Sequence, residues 1–297
     1  MKTRFLMMGA VLTLMVTACS KDDSKSSASA ADFSADEAKL NSKMDIANDD
    51  VSDIVEAQFD ATQSSAAGRS AESSALTSNL PSCATVTRIP AFGETITPGT
   101  QVTKTIDFGT TGCTMNNGNI LKGKIIITFT YQPGANPQTI NYQFDNFYHN
   151  AVKFTGNKTF TRTMTDATAT SPSHPVVVMN MDLDATFPDG RVIHRTGTRT
   201  REIIEGYGNG DLSDNVYSVT GNWTNTFPNA SVKTSTITTP LIVKMSCIQQ
   251  NKPLIVQGVI TFQRNTRTAT LDYGDGECDN IATYTVNGNS YTIIIGN

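Results

Sequence analysis

Three histidines are the natural starting point for acid–base catalysis, and they lie far apart in the sequence. His149, His174 and His194 each stand alone, without a serine elbow, a zinc-protease motif, a phosphate loop or a dinucleotide fingerprint in the chain. Paired carboxylates such as Asp182 and Asp184 are the type that a glycosidase uses, but a sequence does not give their separation. The residues therefore predict a protein that is not an enzyme, with a hydrolase of surface polysaccharide as the alternative.

Two acidic loops have the composition of a cation site. Both mix carboxylates with glycines, and calcium takes roughly six to eight oxygen ligands. Neither loop has EF-hand spacing, and Asp, Asn and Gly also form ordinary turns. We favour solvated turns and expect no cofactor; calcium is the weaker alternative. Its candidate ligands are Glu205, Asn209, Asp211 and Asp214 in the first loop and Asp272, Asp275 and Asp279 in the second.

Arginines recur at odd-numbered positions of one predicted strand, so they share a face. A two-residue turn at Asp189-Gly190 would place Asp184 of the preceding strand opposite Arg195, whereas a bulged turn would shift the register by one residue. We favour charge pairs on a solvated face. The alternative is recognition of an acidic glycan or a lipid headgroup. The candidates for ligand binding are Arg195, Arg199, Arg201 and, as aromatic platforms for a glycan, Trp223 and Tyr207.

The N-terminal segment predicts export. Lys2 and Arg4 precede a largely apolar run of 14 residues, 5–18, which is too short to span a hydrocarbon core of roughly 30 Å. The run ends in small residues before Cys19, and this ending resembles a bacterial lipoprotein signal. The resemblance implies that residues 1–18 are removed and that the thiol of Cys19 receives diacylglycerol. Because each buried methylene contributes about 0.8 kcal/mol, diacylglycerol and a further acyl chain such as palmitate would give durable membrane anchoring.

The residues after Cys19 bear on localisation. Lys21-Asp22-Asp23 resembles the export signal of surface lipoproteins of Bacteroidota. The resemblance implies an outer-membrane protein that faces the cell exterior. A periplasm-facing protein in the outer membrane is the main alternative, and anchoring in the plasma membrane is a distant third.

Charge and composition divide the chain. Residues 20–81 hold 12 acidic and 5 basic side chains, whereas residues 82–297 hold 15 acidic and 16 basic ones. The net charge is −4 and becomes −6 without the leader, so a nucleic-acid partner is not expected. We predict a flexible acylated tether at 19–35, an amphipathic helix at 36–62, a linker at 63–81 and a β domain at 82–297.

The helix prediction depends on an apolar stripe at steps of three and four residues. Ser34 is the expected N-cap, with Glu37 completing a capping box. We expect the stripe to pack on the β domain; a partner-binding or self-associating helix is the alternative. The stripe is formed by Leu40, Met44, Ala47, Val51, Ile54, Val55 and Phe59.

The β domain is predicted from alternating apolar and polar residues. Threonine, which is β-branched, is in excess: the chain has 43, of which 38 follow Pro81. About 15 candidate strands are separated by turn residues, with no helical stretch between them, which excludes parallel crossovers. We therefore predict a mainly β fold, either an antiparallel sandwich or a strongly curved sheet, preceded by one amphipathic helix and the lipidated tether.

Four further cysteines in an exported chain predict disulfides, and they allow three pairings. We favour Cys83 with Cys113 and Cys247 with Cys278, because the two loops would be nearly equal, at 30 and 31 residues. The crossed pairings remain open. A zinc site is not favoured, because there is no CxxC motif and no histidine lies beside these cysteines.

An Asp-aromatic-Gly-x-x-x-Cys element occurs twice, at 107–113 and 272–278. This element and the C-terminal stretch that begins at Cys278 resemble a β domain of uncharacterised Bacteroidota lipoproteins. The resemblance covers Cys83 to the C-terminus and carries no known activity. The expectation is a lipid-anchored surface protein that acts as a binding or structural module, with the membrane and a glycan or protein ligand as partners. Its oligomeric state is not predicted.

Overall fold

A computed structural model describes residues 33–66, 80–169, 172–209 and 211–296. The leader, Cys19, the tether through Asp32 and most of the linker lie outside the described residues. The described chain forms one 32-residue helix, α1 (Ala35–Ala66), and fourteen strands. None of the described helices is long and apolar enough to cross a membrane. The strands are β1 (Thr85–Ile89), β2 (Gln101–Asp107), β3 (Cys113–Thr114), β4 (Ile120–Thr130), β5 (Gln138–His149), β6 (Val152–Met164), β7 (Pro175–Thr186), β8 (Val192–Glu205), β9 (Val216–Thr226), β10 (Val232–Lys244), β11 (Ile255–Arg264), β12 (Arg267–Asp275), β13 (Ile281–Val286) and β14 (Asn289–Ile294).

All fourteen strands belong to one antiparallel sheet. Each strand pairs with the next along the chain, except that β2 pairs with β4 and the two-residue β3 pairs with β4 from the side. The ends of this path are β1 and β14, so the sheet is not closed. The predicted mainly β, antiparallel fold is confirmed. Of the two predicted architectures, the single curved sheet is found and the sandwich is not.

The sheet wraps around α1. Residues 44–59 of the helix, sixteen in a row, are all buried, and this is more than four turns, so every side of the helix is covered. The helix touches β2, β6 and β8 through Lys104, Lys158 and Arg195. Along β8 the contacts advance with the helix, from Asp45 at Arg195 to Glu56 at Arg201. The helix axis therefore follows the direction of β8.

The local sequence explains where α1 begins. The Ser34 hydroxyl accepts a hydrogen bond from the Glu37 amide at 3.1 Å, which is the predicted N-cap interaction. All seven apolar residues of the predicted stripe are buried, from Leu40 at 7% exposure to Val55 at 0%. Phe59 packs edge-on against Phe129 of β4. The helix thus begins and packs as its sequence pattern indicates.

Two glycines inside strands allow neighbouring strands to approach closely where the sheet bends. Gly156 in β6 has φ 114°, and a Cβ there would lie 2.3 Å from the carbonyl oxygen of Asp182. Gly221 in β9 has φ 136°, and a Cβ would lie 2.3 Å from the carbonyl oxygen of Thr198. Glycine kinks of this kind are one way in which curvature is built into a sheet.

Part of the threonine excess lies in one row across the outer face of the sheet. One row across the outer face takes a single residue from each of twelve paired strands, and each is threonine, asparagine or serine. Within the row, hydroxyls donate hydrogen bonds across strands, as from Thr159 to Asn141 and from Thr198 to Asn180, both at 2.9 Å. Such pairs stabilise a sheet. The row is Thr103, Thr128, Asn141, Thr159, Asn180, Thr198, Asn222, Thr236, Thr261, Thr270, Thr285 and Ser290.

Both favoured disulfides are present. Cys83 is bonded to Cys113, with their Cα atoms 5.8 Å apart, and this bond ties the chain before β1 to β3. Cys247 is bonded to Cys278, with a Cα separation of 5.3 Å, and it ties a short 3₁₀ helix, Met245–Gln250, to the turn after β12. The local pairing is therefore confirmed, and the crossed alternatives are excluded.

Candidate functional site

Charge is segregated inside the molecule. Among the described residues, every buried carboxylate belongs to α1, and every buried lysine or arginine belongs to the sheet. The buried carboxylates are Asp45, Asp49, Asp50, Asp53 and Glu56. The buried basic residues are Arg88, Lys104, Lys158, Arg162, Arg195, Arg199, Arg201 and Lys233. The inner face of the sheet is thus a cationic lining that encloses an acidic helix, and we call this surface the cationic lining.

Asp45 is the centre of the arrangement and is completely buried. Its carboxylate accepts hydrogen bonds from the guanidinium groups of Arg195 at 2.7 Å and Arg199 at 2.5 Å. The phenol of Tyr273 donates a third, longer hydrogen bond at 3.3 Å. Burial raises the pKa of Tyr273 well above its usual value, so the phenol keeps the proton that it donates.

Further pairs continue along the helix. Arg201 donates to Glu56 at 2.8 Å and lies 3.8 Å from Asp53. Lys104 donates to the backbone carbonyl of Gln58 at 2.9 Å. Nearer the helix N-terminus, Lys233 forms an ion pair with Glu37, and Arg191 with Asp36. Pairs of this kind fix how far the helix is inserted along the sheet, because a sliding motion would separate several charges together.

Asp50 makes a separate cluster at the ends of β4 and β5. Its carboxylate lies 2.7 Å from Nε2 of His149, which is buried. The side-chain amides of Asn119 and Asn117 donate to the same carboxylate at 2.7 and 2.9 Å. These contacts tie α1 to the ends of β4 and β5.

Two ionisable groups in the middle of this arrangement, Asp49 of the helix and Lys158 of the cationic lining, have shifted pKa values. Burial raises the pKa of Asp49 to about 6, although the nearby Arg199 and Arg201 oppose the shift. Burial, together with the positive charges of Arg199 and Arg195, lowers the pKa of Lys158 to about 7. Both shifts have desolvation as their first cause, as expected for charges taken out of water.

The arginine and tryptophan candidates for ligand binding lie inside the molecule. Arg195, Arg199 and Arg201 are 1%, 0% and 5% exposed. Their guanidinium groups form ion pairs with carboxylates of the helix. Trp223 is 2% exposed and packs under Arg199, whose guanidinium carbon is 4.2 Å from the ring centroid. The prediction of a solvated arginine face was therefore wrong, and none of these four residues is accessible to a glycan. Tyr207, on the loop after β8, is 37% exposed.

The hairpin register corrects the predicted partner of Arg195. Hydrogen bonds between Phe187 and Gly190 and between Phe187 and Arg191 close a longer turn than the two-residue one. Leu183 consequently pairs with Arg195, and Asp184 pairs with His194. The bulged alternative is the one found, and it sends the arginines inward and the aspartates outward.

Most of the calcium candidates form hydrogen bonds within their own turns. Asn209 donates to Asp214 at 2.6 Å, and Asp211 accepts from the Ser213 amide at 2.8 Å. In the second loop Asp272 accepts from the Gly274 amide and Asp279 from the Ile281 amide. Asp275 accepts from the Glu277 amide at 3.4 Å, and Glu205 pairs with Val216 at the end of β8. In the part of the chain that the structure describes, no three or more His, Cys, Asp or Glu residues are grouped to hold a metal ion.

The outer face carries the residues considered for hydrolysis. Asp184 and Asp182 both contact His194, at 2.8 and 3.7 Å, on the solvent side of β7 and β8. His174 contacts Glu202 at 2.9 Å. Two small cavities lined by described residues measure about 10 and about 20 Å³, which is room for about one water molecule each. Neither cavity admits a sugar.

Comparisons with protein-family models, with curated proteins and with solved structures find no match for this chain. Sequence reasoning missed the helix carboxylates as partners of the sheet. A signal for them was present, because Asp45, Asp49 and Asp53 recur every four residues and so share one side of the helix, with Glu56 next to them. The ion pairs of this arrangement hold the acidic helix inside the cationic lining.

Proposed function

We propose that this protein is a lipid-anchored protein of the cell envelope, carried on the outer membrane and facing the exterior, in which α1 joins the membrane anchor to a β module. The leader that ends at Cys19 and the segment Lys21-Asp22-Asp23 support the proposed location, and the enclosure of α1 supports its joining role. The helix begins 16 residues after Cys19, the predicted site of acylation, and residues 44–59 are buried on every side. The first described element after the proposed anchor is therefore enclosed by the sheet.

The ion pairs explain why such an element suits an anchored protein. A load applied through the tether acts first on the N-terminal end of α1, and extraction of the helix would separate Asp45 and Glu56 from their arginines. Breaking a buried ion pair costs about 3–5 kcal/mol, because it leaves an unpaired charge in the interior. The ion pairs would therefore keep the helix inside the sheet when the tether is pulled.

The outer face is the surface that such a module presents. Its central row of threonine and asparagine side chains offers hydroxyl and amide groups to a hydroxyl-rich glycan or to the polar surface of a protein. This chemistry fits a binding or structural role.

Replacement of Cys19 by serine tests the anchor. Radiolabelled palmitate should be incorporated by wild type and by a Ser24→Ala control, and not by Cys19→Ser, because a hydroxyl does not replace the thiol that receives diacylglycerol in the lipoproteins that this leader resembles. The variant should also leave the membrane fraction. Labelling of Cys19→Ser at the wild-type level would overturn the proposed anchoring.

A further inference from the structure

Lys158 of β6 is a buried cation without a carboxylate partner. It is 3% exposed, and its ammonium donates to the side-chain oxygen of Asn48 at 2.5 Å. Among the described residues, no carboxylate lies within 4.0 Å of this ammonium, whereas Arg195, Arg199 and Arg201 each have one. Lys158 therefore differs from the arginines of the cationic lining in having only a neutral acceptor.

Other groups around Lys158 are also suited to an anion. The side-chain Nδ2 of Asn48 is buried and has no acceptor among the described residues. Arg195 and Arg199 are close enough to lower the pKa of Lys158 by their positive charge. A cavity of about 10 Å³ lies against Asn48, Lys158 and Arg195, and its remaining walls include Phe144 and Phe147.

We propose that this cavity is a binding site for one small monovalent anion, such as chloride, held by Lys158 and Asn48 and stabilised by the charge of Arg195. The small volume, about 10 Å³, limits the ligand to a single-atom ion. The anion would act as the counter-ion that α1 does not supply to Lys158.

The site would depend on the charge of Lys158. Below about pH 7 the ammonium is protonated and attracts an anion; above it the neutral amine does not. Arg195 and Arg199 from β8 favour the anion at every pH, whereas Asp45 and Asp49 from α1 oppose it. Tyr142 of β5, whose ring centroid is 5.6 Å from the ammonium, keeps its proton because burial raises its pKa. Anion binding should therefore weaken as the pH rises past 7.

Thermal unfolding of the purified chain from Ser20 onward, with both disulfides intact, tests the site. Sodium chloride and sodium gluconate are compared at equal ionic strength, because gluconate is too large for the cavity. At pH 6 chloride should raise the Tm by roughly 5 °C over gluconate when it is present at about 100 times its dissociation constant. The difference should disappear at pH 9.

Matched variants and a heavier halide complete the test. Lys158→Met should abolish the chloride dependence, and Lys104→Met, which alters another buried lysine of the lining, should retain it. If Lys158→Met does not fold, wild-type crystals grown in bromide decide the question through an anomalous peak beside Lys158. Equal Tm values in chloride and gluconate, or water in place of the anomalous peak, would overturn the proposal. These outcomes are independent of whether Cys19 is acylated.

Discussion

At the scale of single residues, Asp45 links the helix to two separate strands of the sheet at once. It accepts from Arg195 and Arg199 of β8 and from Tyr273 of β12, and these strands lie on different parts of the curved sheet. Replacing a buried ion pair as a whole often costs little, whereas removing one partner leaves a charge unpaired. The consequence of a mutation at Asp45 therefore follows from the two arginines that would remain.

Asp45→Asn should lower the free energy of unfolding by about 3–5 kcal/mol, because Arg195 and Arg199 would share a neutral amide inside the protein. Urea titration measures the change. The matched control is Asp36→Asn on the same helix, where the carboxylate is 63% exposed and pairs with Arg191, so the expected loss is below about 1 kcal/mol. Equal losses in the two variants would show that the buried charges are not the stabilising feature.

At the scale of elements, the sequence predicts the helix but not the surface that surrounds it. The capping serine and the apolar stripe correctly predicted α1, whose observed bounds, Ala35–Ala66, exceed the predicted 36–62 by a few residues. Periodicity identifies which side of a helix is apolar. It does not tell whether the opposite side meets water or another charged surface. The acidic side of α1 meets the cationic lining, and only the three-dimensional structure shows this.

The β8 arginines illustrate the second limit. Alternation correctly placed them on one face, because strand periodicity is fixed by the backbone. Which face is buried depends on pairing, and a longer turn at 187–191 gave Arg195 a leucine rather than Asp184 as its cross-strand neighbour. Turn type therefore decided whether the charges on two strands could pair.

The two disulfides allow a prediction about elements that they tie together. Closing loops of 30 and 31 residues corresponds to about 3.5–4 kcal/mol of unfolded-state entropy in the chain-entropy model. Each double variant, Cys83→Ala with Cys113→Ala and Cys247→Ala with Cys278→Ala, should unfold with a free energy lower by about 2–4 kcal/mol in urea. Reductant should destabilise each variant further, since one bridge remains in each. A variant that reductant leaves unchanged would contradict this expectation.

At the scale of the whole molecule, the charge asymmetry along the chain reflects charge pairing between the helix and the sheet. Residues 20–81 carry an excess of seven negative charges and residues 82–297 an excess of one positive charge, which the sequence suggests as a domain boundary. In the structure the helix from the first stretch, Ala35–Ala66, and the strands of the second share one interior. The acidic excess includes the five buried carboxylates of α1, half of the sixteen basic residues after Ser82 are buried in the sheet, and several of these pair with the helix carboxylates. Segregated charge in sequence was thus a sign of complementary charge in space.

The proposed orientation of the whole molecule at the cell surface is tested through the tether. Lys21, Asp22 and Asp23 precede α1 by more than ten residues, so replacing all three with alanine should leave the β module folded. If this segment directs surface display, protease added to intact cells should cleave wild type but not the triple variant. Both should incorporate palmitate and remain in the membrane fraction, because Cys19 is unchanged. A control with alanine at Ser24, Lys25 and Ser26 should keep the wild-type sensitivity. A triple variant that is cleaved as fast as wild type would assign export to another part of the chain.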